Sequence, residues 1–287
     1  MPQLFVNRLT NLDFAYLDPQ LGLLGETWLV DLELEGQLNA EGMVLDFGLV
    51  KKQVKGLLDQ AFDHCLLVPL EYPGCQLDQA NGTAQLVFHC QDGQRIRHLS
   101  PQAALCPLPL PRIEPEGVAA CIRQRLLPGL AENCTELRLR LYPEAIDGPF
   151  YQYSHGLRQH AGNCRRIAHG HRSAIQVQRN GVAAPELAAA WARRWRHAYL
   201  AERAVLLGEY AYQGRTYARF GYDTGEGRYE LELPAEACVL LQGDTTVERI
   251  AQHIATELAS DQPGETIQVR AFEGVGKGAL AQVRSPR

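Results

Sequence analysis

The chain has 287 residues, 46% of them hydrophobic and 21% charged, so a globular protein of one large domain or two ordinary ones is expected. A net charge of −5 with no basic tract argues against nucleic acid as a partner, and no stretch is long and apolar enough to span a membrane. The start Met-Pro-Gln-Leu-Phe lacks the regions of a signal peptide, so a cytoplasmic protein is expected, and its eight cysteines, with no Cys-x-x-Cys pair, read as reduced thiols that are mostly buried fillers.

In chain order, Trp28, Val30, Leu32 and Leu34 alternate with Asp31, Glu33 and Glu35, the pattern of a half-buried strand. Apolar residues at 47, 50, 54, 57, 58 and 61 then form a helical stripe from Asp46 to His64, with Asp46 placed as its N-cap. Sheet-like sequence follows around Asp92-Gly93. Asp147-Gly148-Pro149 is a short turn, and strand character resumes from Pro149 to Ser154. Pro185 opens a second helix, read from Glu186 to Tyr199. More sheet-like sequence runs from Glu209 to Leu233, with turns at Gly225 and Gly227. Thr245-Thr246-Val247-Glu248 then opens the last helix as a capping box.

That order repeats. Phe62-Asp63-His64-Cys65-Leu66-Leu67 aligns with Trp195-Arg196-His197-Ala198-Tyr199-Leu200, and Ala103-Ala104-Leu105-Cys106 aligns with Ala235-Glu236-Ala237-Cys238. The latter pair is followed at equal distances by Glu116 or Glu248, Val118-Ala119 or Ile250-Ala251, and Ile122 or Ile254. The strand Leu137 to Leu141 with Glu144 aligns with Ile267 to Arg270 and Glu273. A duplication is the economical reading, with domains 1–147 and 148–287 joined by a turn too short to let them swing.

The second half carries the chemistry-bearing cluster. His169 and His171 are two apart, and in an extended segment such residues share a face, with Gly170 leaving room between them. His155 ends the preceding strand, and antiparallel pairing brings it to the same point as a third ligand. Three neutral imidazoles suit zinc and leave a fourth position open, the arrangement of a catalytic site. Cys164 lies between the ligands in sequence.

Gly42-Met43-Val44-Leu45-Asp46-Phe47, the helix ending in Asp63-His64, the stretch Cys164 to His171 and the late strand ending in Glu273 together resemble the 6-pyruvoyl-tetrahydropterin and 6-carboxy-tetrahydropterin synthase family. The resemblance implies an α+β fold, a tandem of two ββααββ T-fold units with inserted strands, whose sheets assemble into a barrel with sites between units. It implies 7,8-dihydroneopterin triphosphate as substrate and Zn²⁺ held by His155, His169 and His171. It further implies Cys164 and the Asp63-His64 pair as catalytic groups, and Glu273 as the anchor of the pterin ring with Thr245 and Thr246 beside it. Glu144 is the first-half equivalent of Glu273. The first half has Asp13, Leu24 and Glu26 where ligands belong, while the second has Arg196 where the Asp of the pair belongs. Each half has what the other lost.

These losses are complementary, so one zinc per chain is expected, in a site shared between a first-half and a second-half unit. Whether those halves belong to one chain or two is open, and a homo-oligomer, a dimer forming a ring of four units, is expected. Cys164 should be the proton-moving thiol, shifted toward thiolate by zinc and by Arg165 and Arg166, with Asp63 orienting His64. Two other readings fit these residues: a different zinc enzyme on the same fold, and a non-catalytic pterin- or purine-binding protein. The residue types serve the 6-carboxy and the 6-pyruvoyl products alike.

Overall fold

The computed structural model describes residues 1–129 and 133–286, so residues 130–132 of the expected first domain and 287 of the second lie outside the described residues. The first half folds in the order β1 (Gln3–Asp18), β2 (Gly22–Gly36), α1 (Phe47–Ala61), β3 (Leu66–Pro69), β4 (Cys75–Ala80), β5 (Thr83–His89), β6 (Arg95–Pro101), β7 (Leu105–Leu108), α2 (Pro115–Leu126) and β8 (Cys134–Pro143). The second follows as β9 (Phe150–His155), β10 (His169–Arg179), β11 (Val182–Ala183), α3 (Pro185–Arg194), β12 (Ala198–Glu202), β13 (Leu206–Tyr212), β14 (Arg215–Thr224), β15 (Gly227–Pro234), β16 (Cys238–Leu241), α4 (Val247–Ser260), β17 (Thr266–Phe272) and β18 (Gly278–Arg284).

The same strand order appears twice. One sheet runs β7-β3-β1-β2-β8, and another runs β16-β12-β9-β10-β17-β18 with β11 on β10. In both, the opening hairpin is antiparallel and the strand after the first helix joins it in parallel. Each sheet packs one face against its own two helices: Val50, Val54 and Leu58 of α1 enter the first core, and Ile250, Ile254 and Leu258 of α4 the second. Asp46 caps α1 as expected, its Oδ1 accepting from the Leu49 amide at 2.9 Å.

The inserts were legible as strands but not as partners. They form one antiparallel sheet, β13-β14-β15-β6-β5-β4, in which β15 of the second half pairs with β6 of the first. Its apolar face, including Phe88, Phe220 and Leu231, covers Leu17, Leu23, Val68 and Tyr199 of the two repeated sheets in a third core.

Two boundaries differ from expectation. The second helix ends at Arg194 rather than Tyr199, because His197 takes a left-handed conformation (φ 64°) and Ala198–Glu202 gains parallel ladders to β9 and β16. His64 has the same conformation (φ 53°) at the corresponding place. The capping box does not form either: Thr246 is the N-cap of α4 without a side-chain bond, since its neighbour Thr245 is turned inward.

Candidate metal and catalytic site

The β9–β10 ladder sets His169 directly opposite His155, and His171 two residues on shares their face. All three are buried, and they offer one ligand atom each, all within 4.8 Å of one another. Nδ1 of His155 bonds the carbonyl and the hydroxyl of Thr245, both at 3.1 Å, and Nδ1 of His169 bonds the Arg166 carbonyl at 3.0 Å. Donation from Nδ1 leaves Nε2 as the lone-pair nitrogen on each ring, and Nε2 of His155 is buried with no protein partner. Burial, reinforced by neighbouring histidines, pushes both rings well below the ordinary histidine range, so both are neutral near pH 7. Neutral, pre-oriented imidazoles with an orphaned nitrogen fit a tetrahedral zinc ion with one open position.

The first half brings Asp63 and His64 to this cluster within the same chain. The left-handed turn at His64 is fastened to β1: the His64 amide donates to the Asp13 carbonyl at 2.6 Å, and the Asp13 amide donates to Oδ1 of Asp63 at 2.9 Å. Oδ2 of Asp63 then lies 2.6 Å from Nδ1 of His64. The His64 ring centroid is 5.0 Å from that of His169, and His64, Cys164 and His169 each offer an atom within 4.8 Å of the others. Burial opposes charging of His64, yet the bonds to Asp63 and Cys164 outweigh it and its pKa is pushed up to about 10. Arg165 and Arg166, expected to influence Cys164, are engaged elsewhere: Arg165 with Glu226, and Arg166 with Sγ of Cys65 at 2.9 Å.

Asp13 has a place that sequence reasoning missed. Tyr16, not Asp13, pairs with Leu24, whereas His155 pairs with His169, so the first-half counterparts of the ligands are Tyr16, Leu24 and Glu26. Asp13 pairs with Thr27 and faces the other way, into the second half, where its Oδ1 lies 3.2 Å from Nδ1 of His171. Burial opposes its ionisation, but His171, the Thr27 hydroxyl (2.6 Å) and Lys277 (3.6 Å) hold its carboxyl well below the usual range. That approach requires bare backbone. A Cβ on Gly25 would strike the Tyr153 carbonyl and stand 2.9 Å from the His171 amide, and a Cβ on Gly170 would stand 2.5 Å from Cα of Gly25.

Glu273 sits at the rim, its side chain 21% exposed, with Oε1 3.9 Å from Nε2 of His171 and Oε2 3.9 Å from Lys277. The ladders place Pro143, not Glu144, at its first-half counterpart, since Trp28 pairs with Pro143 and Val30 with Leu141 while Ile175 pairs with Ala271. Thr245 and Thr246, expected beside the substrate, are placed differently: Thr245 is fully buried behind His155, and Thr246 caps α4.

The family described as 6-pyruvoyl tetrahydropterin synthase matches residues 18–144, the half without the histidine cluster. Two archaeal proteins provisionally named 6-carboxy-5,6,7,8-tetrahydropterin synthase are similar. That of Pyrococcus abyssi is 25% identical over 46% of this chain and 76% of its own, and that of Pyrococcus horikoshii is 26% identical over 42% and 68%. Two solved structures, the 6-pyruvoyltetrahydropterin synthases of Plasmodium vivax and Plasmodium falciparum, align at a TM-score of 0.42 each. Identities are 20% and 17%, over 51% and 50% of this chain and 93% and 92% of theirs.

Proposed function

We propose that this chain, which belongs to the 6-pyruvoyl tetrahydropterin synthase family through residues 18–144, is a zinc-dependent lyase acting on 7,8-dihydroneopterin triphosphate. The repeated strand order supports a tandem of two T-fold units, 1–147 and 148–287, of which, among the described residues, only the second has a cluster of three histidines. The observation that carries the reading is one cluster in which three buried histidines of one half meet an Asp-His pair of the other beside a cysteine.

His155, His169 and His171 would hold the ion, which when bound supplies Lewis acidity to the substrate's side-chain hydroxyls. The chain's own groups do the rest. His64, held cationic by Asp63, donates a proton to the side chain, and Cys164 beside it takes one. Thr245 and the Arg166 carbonyl fix the ligand rings so that each presents Nε2. Glu273 at the rim accepts from the amino-pyrimidine edge of the pterin, which offers adjacent N–H donors. Two relatives named for the 6-carboxy product favour that product over the 6-pyruvoyl one. Among the described residues no helix is long and apolar enough to cross a membrane, and the outer strands β8 and β18 each have a single neighbour there, which supports a homo-oligomer formed edge to edge.

The test is to incubate the metal-loaded protein with 7,8-dihydroneopterin triphosphate, identify the product by mass spectrometry, and count bound zinc. The expected outcome is a 6-carboxy product, with one zinc per chain that is lost in His169→Ala. Intact substrate after zinc is restored would refute the lyase reading, and two equivalents of tightly held zinc would refute the single site.

A further inference from the structure

We propose a second ligand site, for a phosphate-bearing anion, in the groove between the start of β9 and the end of α3. This goes beyond the lyase reading and does not depend on it. The groove has a volume of about 520 Å³ and is lined by Phe150, Gln152, Arg172, Ala192, Arg193 and Arg196, a size that takes a small organic ligand.

Its place in the fold gives the first argument. The two halves are related so that Gly25 meets Gly170, its own counterpart, and one polar contact across that point is matched by another. Asp13 facing His171 at 3.2 Å is matched by Gln152 donating to Glu26 at 2.7 Å. Tyr16, Leu24 and Glu26 replace the three ligand histidines, and Arg196-His197 replaces Asp63-His64. The groove therefore adjoins the counterpart of the metal site, where the acid of the pair has become a cation and no ligand set remains.

The charge gives the second. Arg172, Arg193 and Arg196 converge on the groove, and among the described residues none of the three guanidinium groups is paired with a carboxylate; Arg196 bonds only His197, at 3.2 Å. Arg194, the neighbour on α3, pairs with Glu257 and covers Trp191, so it already serves the negative end of the helix. Arg172 lies flat over Phe150 at 3.8 Å, and its Nε is buried without a partner. Glu26, bonded to Gln152, lies close enough for the Arg172 charge to favour its ionisation, but burial outweighs this and raises its pKa to about 7, which reduces its repulsion of an anion. Opposite Phe150–Gln152 the edge of β9 is also open, because β12 pairs only with Tyr153 and Ser154. Three unpaired forks around an apolar floor are chemistry for several phosphate oxygens at once.

Isothermal titration of the full chain with inorganic triphosphate and, separately, with adenosine triphosphate tests this. Saturable binding is expected, weakened about tenfold or more in Arg193→Gln/Arg196→Gln, whose side chains are exposed and whose loss leaves the fold intact, and weakened also in Arg172→Lys. Binding should persist in His169→Ala. Equal affinities identify a free polyphosphate as the ligand type, and tighter nucleotide binding identifies a polyphosphate tail on a larger molecule. Absence of binding, unchanged affinity in both arginine variants, or loss confined to His169→Ala would overturn the proposal.

Discussion

Asp13→Asn separates the contribution of the first half from that of the histidines themselves. The substitution keeps the shape of the side chain, and an amide oxygen can still accept from the Thr27 hydroxyl now 2.6 Å away. It removes the negative charge 3.2 Å from the outer nitrogen of His171, in a setting where both groups are buried. A carboxylate behind a ligand imidazole raises its basicity and fixes its ring, and losing such a partner costs about 10–100-fold in metal affinity, or about 1.4–2.7 kcal/mol. Lys277 also loses a partner, but it is half exposed and the ion pair is long at 3.6 Å, so little of the change belongs to it. Competition against a colorimetric zinc chelator at pH 7 reads the affinity directly, with no need for turnover. An affinity within twofold of the parent, or an equal loss in Lys277→Ala, would refute the claim that Asp13 supports the ligand set.

Glu26→Gln should flatten the dependence of stability on pH. Burial, partly offset by the Thr27 amide, raises the pKa of Glu26 from 4.5 to about 7, so its contribution is fully present below pH 4.5 and lost as pH rises through about 7; the variant should be more stable than the parent above pH 7, by up to about 3 kcal/mol in urea titrations, and parallel curves at pH 5 and pH 8 would contradict this. Gly25→Ala forces the two halves apart at the Tyr153 carbonyl and should cost about 3 kcal/mol or more together with most of the bound zinc, whereas parental stability and metal content would show that the contact can relax. Thr245→Val removes one of the two acceptors for His155 Nδ1 and should weaken zinc about tenfold while leaving the unfolding midpoint of the metal-free protein nearly unchanged; a large drop in that midpoint would assign Thr245 to the core instead.

The histidine trio was legible because a strand has a period of two, and His169 and His171 need no tertiary information to share a face. The proximity of Asp63-His64 to it was legible only through the repeat, since complementary losses imply a shared site. The ladder offsets were not. Asp18 to Gly22 closes the first hairpin tightly while a long segment separates His155 from His169, so the family resemblance put Asp13 at the place that the pairing gives to Tyr16. The same blindness to register put Glu144 in the place held by Pro143. The end of α3 was overshot because Trp195 to Tyr199 continues an apolar pattern that suits either state, and a parallel ladder decided it. No local signal tells that inserts from opposite halves will pair.

That shared insert sheet also bears on how the chain is made. Strand β6 finds its outer partner, β15, nearly half the chain later, with Leu99 opposite Glu230 and Arg97 opposite Glu232. During synthesis the first half must therefore wait with one edge of β6 unpaired and the apolar surface of Phe88 and Leu86 only partly covered. Closing so distant a pairing makes the final step slow relative to the local hairpins on either side of it. The interval before β15 emerges is when this protein is most exposed to aggregation, and when a chaperone has most to offer it.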